Sequence, residues 1–128
     1  MIRDRRARTG QRGEDLARMY LIAHGYGIVQ TRWRPAPPLR GDIDIVARRD
    51  DMLVFVEVRT RRGRGDGIDR AYGSLGARKQ AQLVRLAYAY IAEHDLAEVL
   101  WRIDGIAVAV DPVTGGASID HTENLLDW

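Results

Sequence analysis

A chain of 128 residues, 45% of them hydrophobic, has the length of one domain and enough apolar content to bury a real core. It contains no cysteine, which excludes disulfides, thiolate metal sites and thiol nucleophiles and leaves oxygen or imidazole as metal donors. No apolar run approaches the ~20 residues of a membrane span and no signal-peptide core follows the basic start, so a single soluble, cytoplasmic domain over residues 1–128 is expected.

The net charge of +2 conceals a strong polarity. Residues 1–13 hold Arg3, Arg5, Arg6, Arg8 and Arg12 against Asp4 alone. Residues 59–79 hold Arg59, Arg61, Arg62, Arg64, Arg70, Arg78 and Lys79 against Asp66 and Asp69, so the remaining chain is acidic. Two basic segments on an acidic body are the distribution expected where phosphates are gripped at one place; solvated tails and loops are the other reading.

In chain order, residues 1–10 read as a basic N-terminal arm, and residues 11–24 carry Leu16, Ala17, Tyr20, Leu21 and Ala23 at helical spacing, closed by Gly25. Ile28 to Arg32 reads as a short strand, and Pro35, Pro37 and Pro38 then require an extended loop. GDIDIVAR and MLVFVEVR, separated by Asp50 and Asp51, give a hairpin whose strands are apolar on both faces and therefore central in a covered sheet. Residues 60–73 lack apolar periodicity and are rich in glycine and arginine, predicting a mobile loop that orders on nucleic acid. From Ser74, a candidate N-cap, to about Glu93, one buried stripe of Ala77, Ala81, Val84, Tyr88 and Ile91 predicts a second helix, with Arg78, Gln82 and Arg85 on a polar flank. LWRIDGIAVAV is a strand, DPVTGG a turn and ASIDH a final strand, giving the order α-β-β-β-α-β-β.

With Asp50 and Asp51 as the turn, Asp44 falls opposite Glu57 and Asp42 opposite Arg59, a polar cluster at one end of a face that otherwise carries Val46, Leu53 and Phe55. Adjacent carboxylates repel, and their burial requires a cation. A magnesium or manganese ion held by both side chains and the Val58 carbonyl would serve; neutralisation by Arg59 and its neighbours is equally compatible with the spacing. Glu14, in the first turn of the first helix, suits the helix dipole or a metal site. Arg102 and Asp104 are expected as a cross-strand ion pair near the site, Lys79 as a solvent-facing lysine, with reach to the carboxylate face from the second helix as the alternative, and Trp33 as an anchor of the proline loop or a stacking surface for a base. The histidines form no metal motif: His24 ends the first helix, while His94 and His121 are assigned to connections.

GQRGEDLA, GDIDIVA, FVEVRTR and RIDGIAV, in that order and spacing, resemble the YraN family of small bacterial proteins over residues 10 to about 110. The resemblance implies an α/β, restriction-endonuclease-like three-layer core, with a mixed central sheet flanked by helices as in PD-(D/E)XK nucleases and archaeal Holliday-junction resolvases. It further implies that Asp44 is the metal-binding aspartate, Glu57 the glutamate of the E-x-K element and Glu14 the helix-one acid. Arg59 departs from the pattern, which has lysine there. A guanidinium holds a phosphate and stabilises developing charge but does not exchange its proton.

The expected function is metal-dependent endonucleolytic cleavage of DNA, with branched or flapped structures as substrates. Glu14, Asp44, Glu57 and Arg59 form the catalytic set, and Asp44, Glu57, Glu14 and the Val58 carbonyl the Mg2+ or Mn2+ ligands. Arg12, Arg61, Arg62, Arg64, Arg78, Lys79, Gln82 and Arg85 are the expected nucleic-acid contacts, and junction resolution in related folds implies a homodimer. A catalytically inactive nucleic-acid-binding module and a domain that docks an acidic protein remain the alternatives.

Overall fold

The computed structural model describes residues 2–62 and 76–126, with the side chains of residues 2–9 excepted. In chain order its elements are α1 (Ile2–Ala23), β1 (Gly27–Trp33), β2 (Ile43–Arg49), β3 (Met52–Arg62), α2 (Ala77–Glu93), β4 (Leu100–Val110) and β5 (Ala117–Thr122). The order and type of the elements follow the apolar periodicity, and two boundaries do not. The basic arm is the continuation of α1 back to Ile2, and Thr60, Arg61 and Arg62 are the last residues of β3, paired with Val108, Ala109 and Val110, instead of the start of a loop. The rest of the loop expected to be mobile, Arg64 and the candidate cap Ser74 lie outside the described residues. The N-cap of α2 is Gly76, without a side-chain cap.

The five strands lie in the order β1-β2-β3-β4-β5, antiparallel except for the parallel β3–β4 pair. A parallel pair needs a crossover, and α2 lies within it. Alternation along β3 divides the core into two layers: Leu53 and Phe55 pack with Leu83, Leu86 and Tyr90 of α2, whereas Val54 and Val56 pack with Ala17 and Leu21 of α1. This is a three-layer α/β fold, and it explains why β2, β3 and β4 are apolar on both faces. Among the described residues no helix is long and apolar enough to cross a membrane.

Helix α1 ends as its sequence predicts. Gly25 takes the left-handed conformation (φ 89°), letting the Tyr26 N–H donate to the Leu21 carbonyl at 2.9 Å. Asp95 (φ 54°) does the same after α2, where the Leu96 N–H reaches the Ile91 carbonyl at 2.9 Å. Trp33 anchors the proline loop: it is 5% exposed, stands edge-on to Tyr90 and donates from Nε1 to Glu93 at 2.9 Å. It is not a surface for an incoming base.

Asp104 is fully buried on the α1 side of the sheet and is completely partnered. It accepts from Arg102 Nε at 2.8 Å and Nη2 at 3.1 Å and from the Asn124 N–H at 3.0 Å, and its other close partner is His121 Nε2 at 2.8 Å. Burial alone would raise its pKa, but His121, Arg102 and the Asn124 N–H together hold it below the ordinary value. The other His121 ring nitrogen lies 3.2 Å from the Tyr20 hydroxyl, and Arg102 donates to the Tyr26 hydroxyl at 2.7 Å. The expected cross-strand pair is thus an i,i+2 pair along β4. His121, expected in a connection, is on β5 and ties it to α1.

Helix α1 passes close to β3 at Gly13, where an added Cβ would overlap Thr60 Oγ1 and lie 2.9 Å from Thr60 Cβ. Gly13→Ala is expected to cost about 2 kcal/mol through overpacking against a branched side chain in a strand. Thr60→Ala in the same chain should recover part of it. Urea denaturation of the single and double variants measures the coupling, and strictly additive losses would contradict this contact.

Candidate active site

The β2–β3 ladder has the register that a two-residue turn imposes, from Arg49↔Met52 to Ile45↔Val56. Asp50 makes the turn with left-handed backbone (φ 53°), which a short polar side chain tolerates. The ladder ends at Ile45↔Val56, so the anticipated Asp42–Arg59 ladder pair does not form. Asp44 and Glu57 are the next positions in that register. There the Asp44 carboxylate reaches into the parting strands, and Oδ2 accepts the Val58 N–H at 2.7 Å. On its other side, Glu57 is in register with Gly105 of β4, which has no side chain to crowd it.

Burial is the main cause that pushes the Asp44 pKa up to about 7; the Val58 hydrogen bond opposes it, and the charges of Glu57, Asp42 and Glu14 add to the rise. Glu14 does share a cleft with Asp44. The cleft has a volume of about 230 Å³ and is walled by Gln11, Glu14, Arg18, Thr31, Arg32 and Asp44. The Glu14 carboxylate is held by Arg32 Nε at 2.9 Å, and Arg32 also donates to Gln11. Arg32 makes this contact from left-handed backbone (φ 51°) in a strand, a conformation that costs about 1 kcal/mol.

Lys79 is the main departure from the sequence expectation. Instead of facing solvent, it crosses from the first turn of α2 to the sheet, where Nζ lies 3.4 Å from Glu57 Oε1 and 3.4 Å from Gln82 Oε1. The stripe expected to be buried in α2 is corrected here: Ala77, Ala81 and Tyr88 are exposed, and Leu83, Leu86, Ala87, Tyr90 and Ile91 are buried, so Lys79, four and seven residues before Leu83 and Leu86, stands on the side of α2 that faces the sheet. The remaining expected contacts divide. Arg61 and Arg62 are exposed at the end of β3, Arg78 and Arg85 are exposed on α2, and Arg59 is half-buried beside Ala107. Arg12 donates to the Gly115 carbonyl in the β4–β5 turn, and Gln82 donates to the Arg40 carbonyl at 3.2 Å.

Among the described residues, no three Asp, Glu or His side chains converge as a ready ligand cage. The donor set is two carboxylates and a backbone carbonyl, hard oxygens of the type that suits a magnesium or manganese ion retaining several waters. A divalent cation would also relieve the repulsion that raises Asp44. The residues fit such an ion.

A family model described as "Uncharacterised protein family UPF0102" matches residues 13–108. The chain belongs to the UPF0102 family. Its relatives include a UPF0102 protein of Roseiflexus castenholzii, 47% identical over 118 residues and covering 91% of each chain. Another, from Chloroflexus aurantiacus, is 43% identical over 115 residues, 89% of this chain and 87% of its own. A third, from Pseudarthrobacter chlorophenolicus, is 39% identical over 119 residues, 93% of this chain and 86% of its own. Family membership agrees with the YraN resemblance, and the match includes Glu14, Asp44, Glu57 and Lys79.

Because folding raises the Asp44 pKa from 3.8 to about 7, the folded chain binds the extra proton across that interval. Its stability in chelator should therefore fall as pH rises from about 4 to 7 and level off above. Asp44→Asn retains an acceptor for Val58 and removes the charge, so at pH 8 it should be on the order of 2 kcal/mol more stable than the parent. Urea midpoints at pH 5 and pH 8 test this; equal midpoints for the two proteins at pH 8 would show that the carboxylate carries no such penalty.

Proposed function

We propose that this UPF0102 protein is a cytoplasmic, Mg2+- or Mn2+-dependent endonuclease acting on DNA, with branched or flapped structures as its substrates and a homodimer as its working form. The observation that supports the reading is that Asp44 and Glu57 are the next positions in the β2–β3 register and close enough for the Glu57 charge to raise Asp44, with the Lys79 ammonium 3.4 Å from Glu57. Asp44, Glu57 and the Val58 carbonyl hold the ion. When bound, it supplies Lewis-acid polarisation of the phosphate and a lowered pKa for water. Lys79, the group missing at position 59, orients the attacking water and exchanges its proton, a role closed to Arg59 because a guanidinium stays protonated. Arg59 neutralises the phosphate as negative charge builds on its oxygens. Glu14, paired with Arg32, shapes the neighbouring cleft and orders water in it.

Arg59 in place of the pattern's lysine favours a second reading, an inactive nucleic-acid-binding module of the same fold. Gel assays on flap, junction and single-stranded DNA with either metal separate the two. A nuclease should lose cleavage in Asp44→Ala and Glu57→Ala, slow by about a hundredfold or more in Lys79→Ala, and retain at least its rate in Arg59→Lys. Binding without cleavage in the parent protein would establish the module. Full cleavage by Lys79→Ala would remove the lysine from the mechanism.

A further inference from the structure

Beside the carboxylates, a groove of about 610 Å³ opens between the proline loop and the first turns of α2. Pro38 and Leu39 form its apolar floor, and Leu39 packs onto the α2-side core beneath. The rim is cationic: Arg40 comes from the loop, and Arg78, Lys79 and Arg85 from one side of α2. Among the described residues no carboxylate lines it. Its walls are fixed to each other, since Gln82 Nε2 donates to the Arg40 carbonyl at 3.2 Å and Gly41, at φ 106°, packs against the Gln82 side chain.

We infer that this groove is a binding site for one or two unpaired nucleotides of a single DNA strand, which it delivers to the Asp44–Glu57 site. The chemistry matches on both sides of such a ligand. A base offers a flat apolar face to the Pro38 ring, the Leu39 side chain and the arginine stems, while its phosphates meet the rim. The volume lies within the range, about 300–1,000 Å³, of sites that enclose compact ligands, and a duplex does not enter a space of that size. Lys79 belongs to both places: it lines the groove and lies 3.4 Å from Glu57, so a strand in the groove runs towards Glu57. Duplex binding is left to the exposed arginines at the end of β3, among them Arg61 and Arg62.

This inference rests on the nuclease reading only for where the strand is cut; occupancy of the groove is independent of cleavage. The test is fluorescence anisotropy in EDTA, comparing a blunt duplex, the same duplex with a six-nucleotide overhang, and a single strand. The proteins are the parent, Arg40→Ala with Arg85→Ala, and Asp44→Ala, each checked for folding by thermal melting. The overhang should bind at least tenfold tighter than the blunt duplex to the parent and to Asp44→Ala. The Arg40/Arg85 double variant should lose that preference while its affinity for blunt duplex changes less than threefold. Equal affinity of the parent for blunt and overhang duplexes, or a double variant that keeps the overhang preference, would overturn the groove assignment, as would displacement of the overhang by an equal charge of polyphosphate. An overhang preference abolished by the double variant, in a protein that never cleaves, would establish the groove and refute the nuclease. Cleavage that depends on Asp44 without any overhang preference would do the opposite.

Discussion

At the end of the β2–β3 ladder the Val58 N–H no longer faces a strand partner, and the Asp44 carboxylate takes it at 2.7 Å. A buried N–H without an acceptor is costly, so this hydrogen bond both completes β3 and fixes where Asp44 can be. It depends in turn on the turn at Asp50 and Asp51. A slip of one residue would send Asp44 to the opposite face and leave Val58 unsatisfied. The position of the carboxylate is therefore enforced by the turn and by this hydrogen bond.

The electrostatics of the site follow from that enforced position. Asp44 is held where water is scarce and Glu57, Asp42 and Glu14 are close, and the result is a carboxyl pushed up to about 7. Asp104 is more deeply buried yet shifts the other way, because Arg102, His121 and Asn124 satisfy it. One acid is structural and complete; the other is held at a cost by its surroundings. Perturbed groups left under-compensated in a cleft are where function is concentrated.

The two layers of the fold divide the work. On the α1 side, the Asp104 network connects β4, β5, the segment after β5 and α1 through Tyr20 and Tyr26, and holds the sheet's position against that helix. On the α2 side, Leu83, Leu86 and Tyr90 seat the helix on Leu53 and Phe55, and this seating brings Lys79 within reach of Glu57. The proline loop, clamped through Trp33 to Glu93 and through Arg40 to Gln82, closes that side next to the carboxylates.

Much of this was legible in the residues themselves. Periodicity of 3.6 or 2, glycine after α1 and a two-residue acidic turn are local signals, so the element order, the hairpin register and the neighbouring positions of Asp44 and Glu57 could be read directly. Element ends were less legible: α1 continues through the basic arm and β3 through Arg62, because arginine is compatible with either structure and only neighbouring contacts decide. Whether a charged residue reaches inward is likewise not local. Lys79 is expected to face solvent and Arg78 to lie on a polar flank, yet Lys79 crosses to Glu57 and Arg78 is exposed. Their different positions around the helix separate the two, but that Lys79 meets Glu57 follows from the seating of α2 on β3, a product of core packing between residues some thirty positions apart, and tertiary structure alone supplies it.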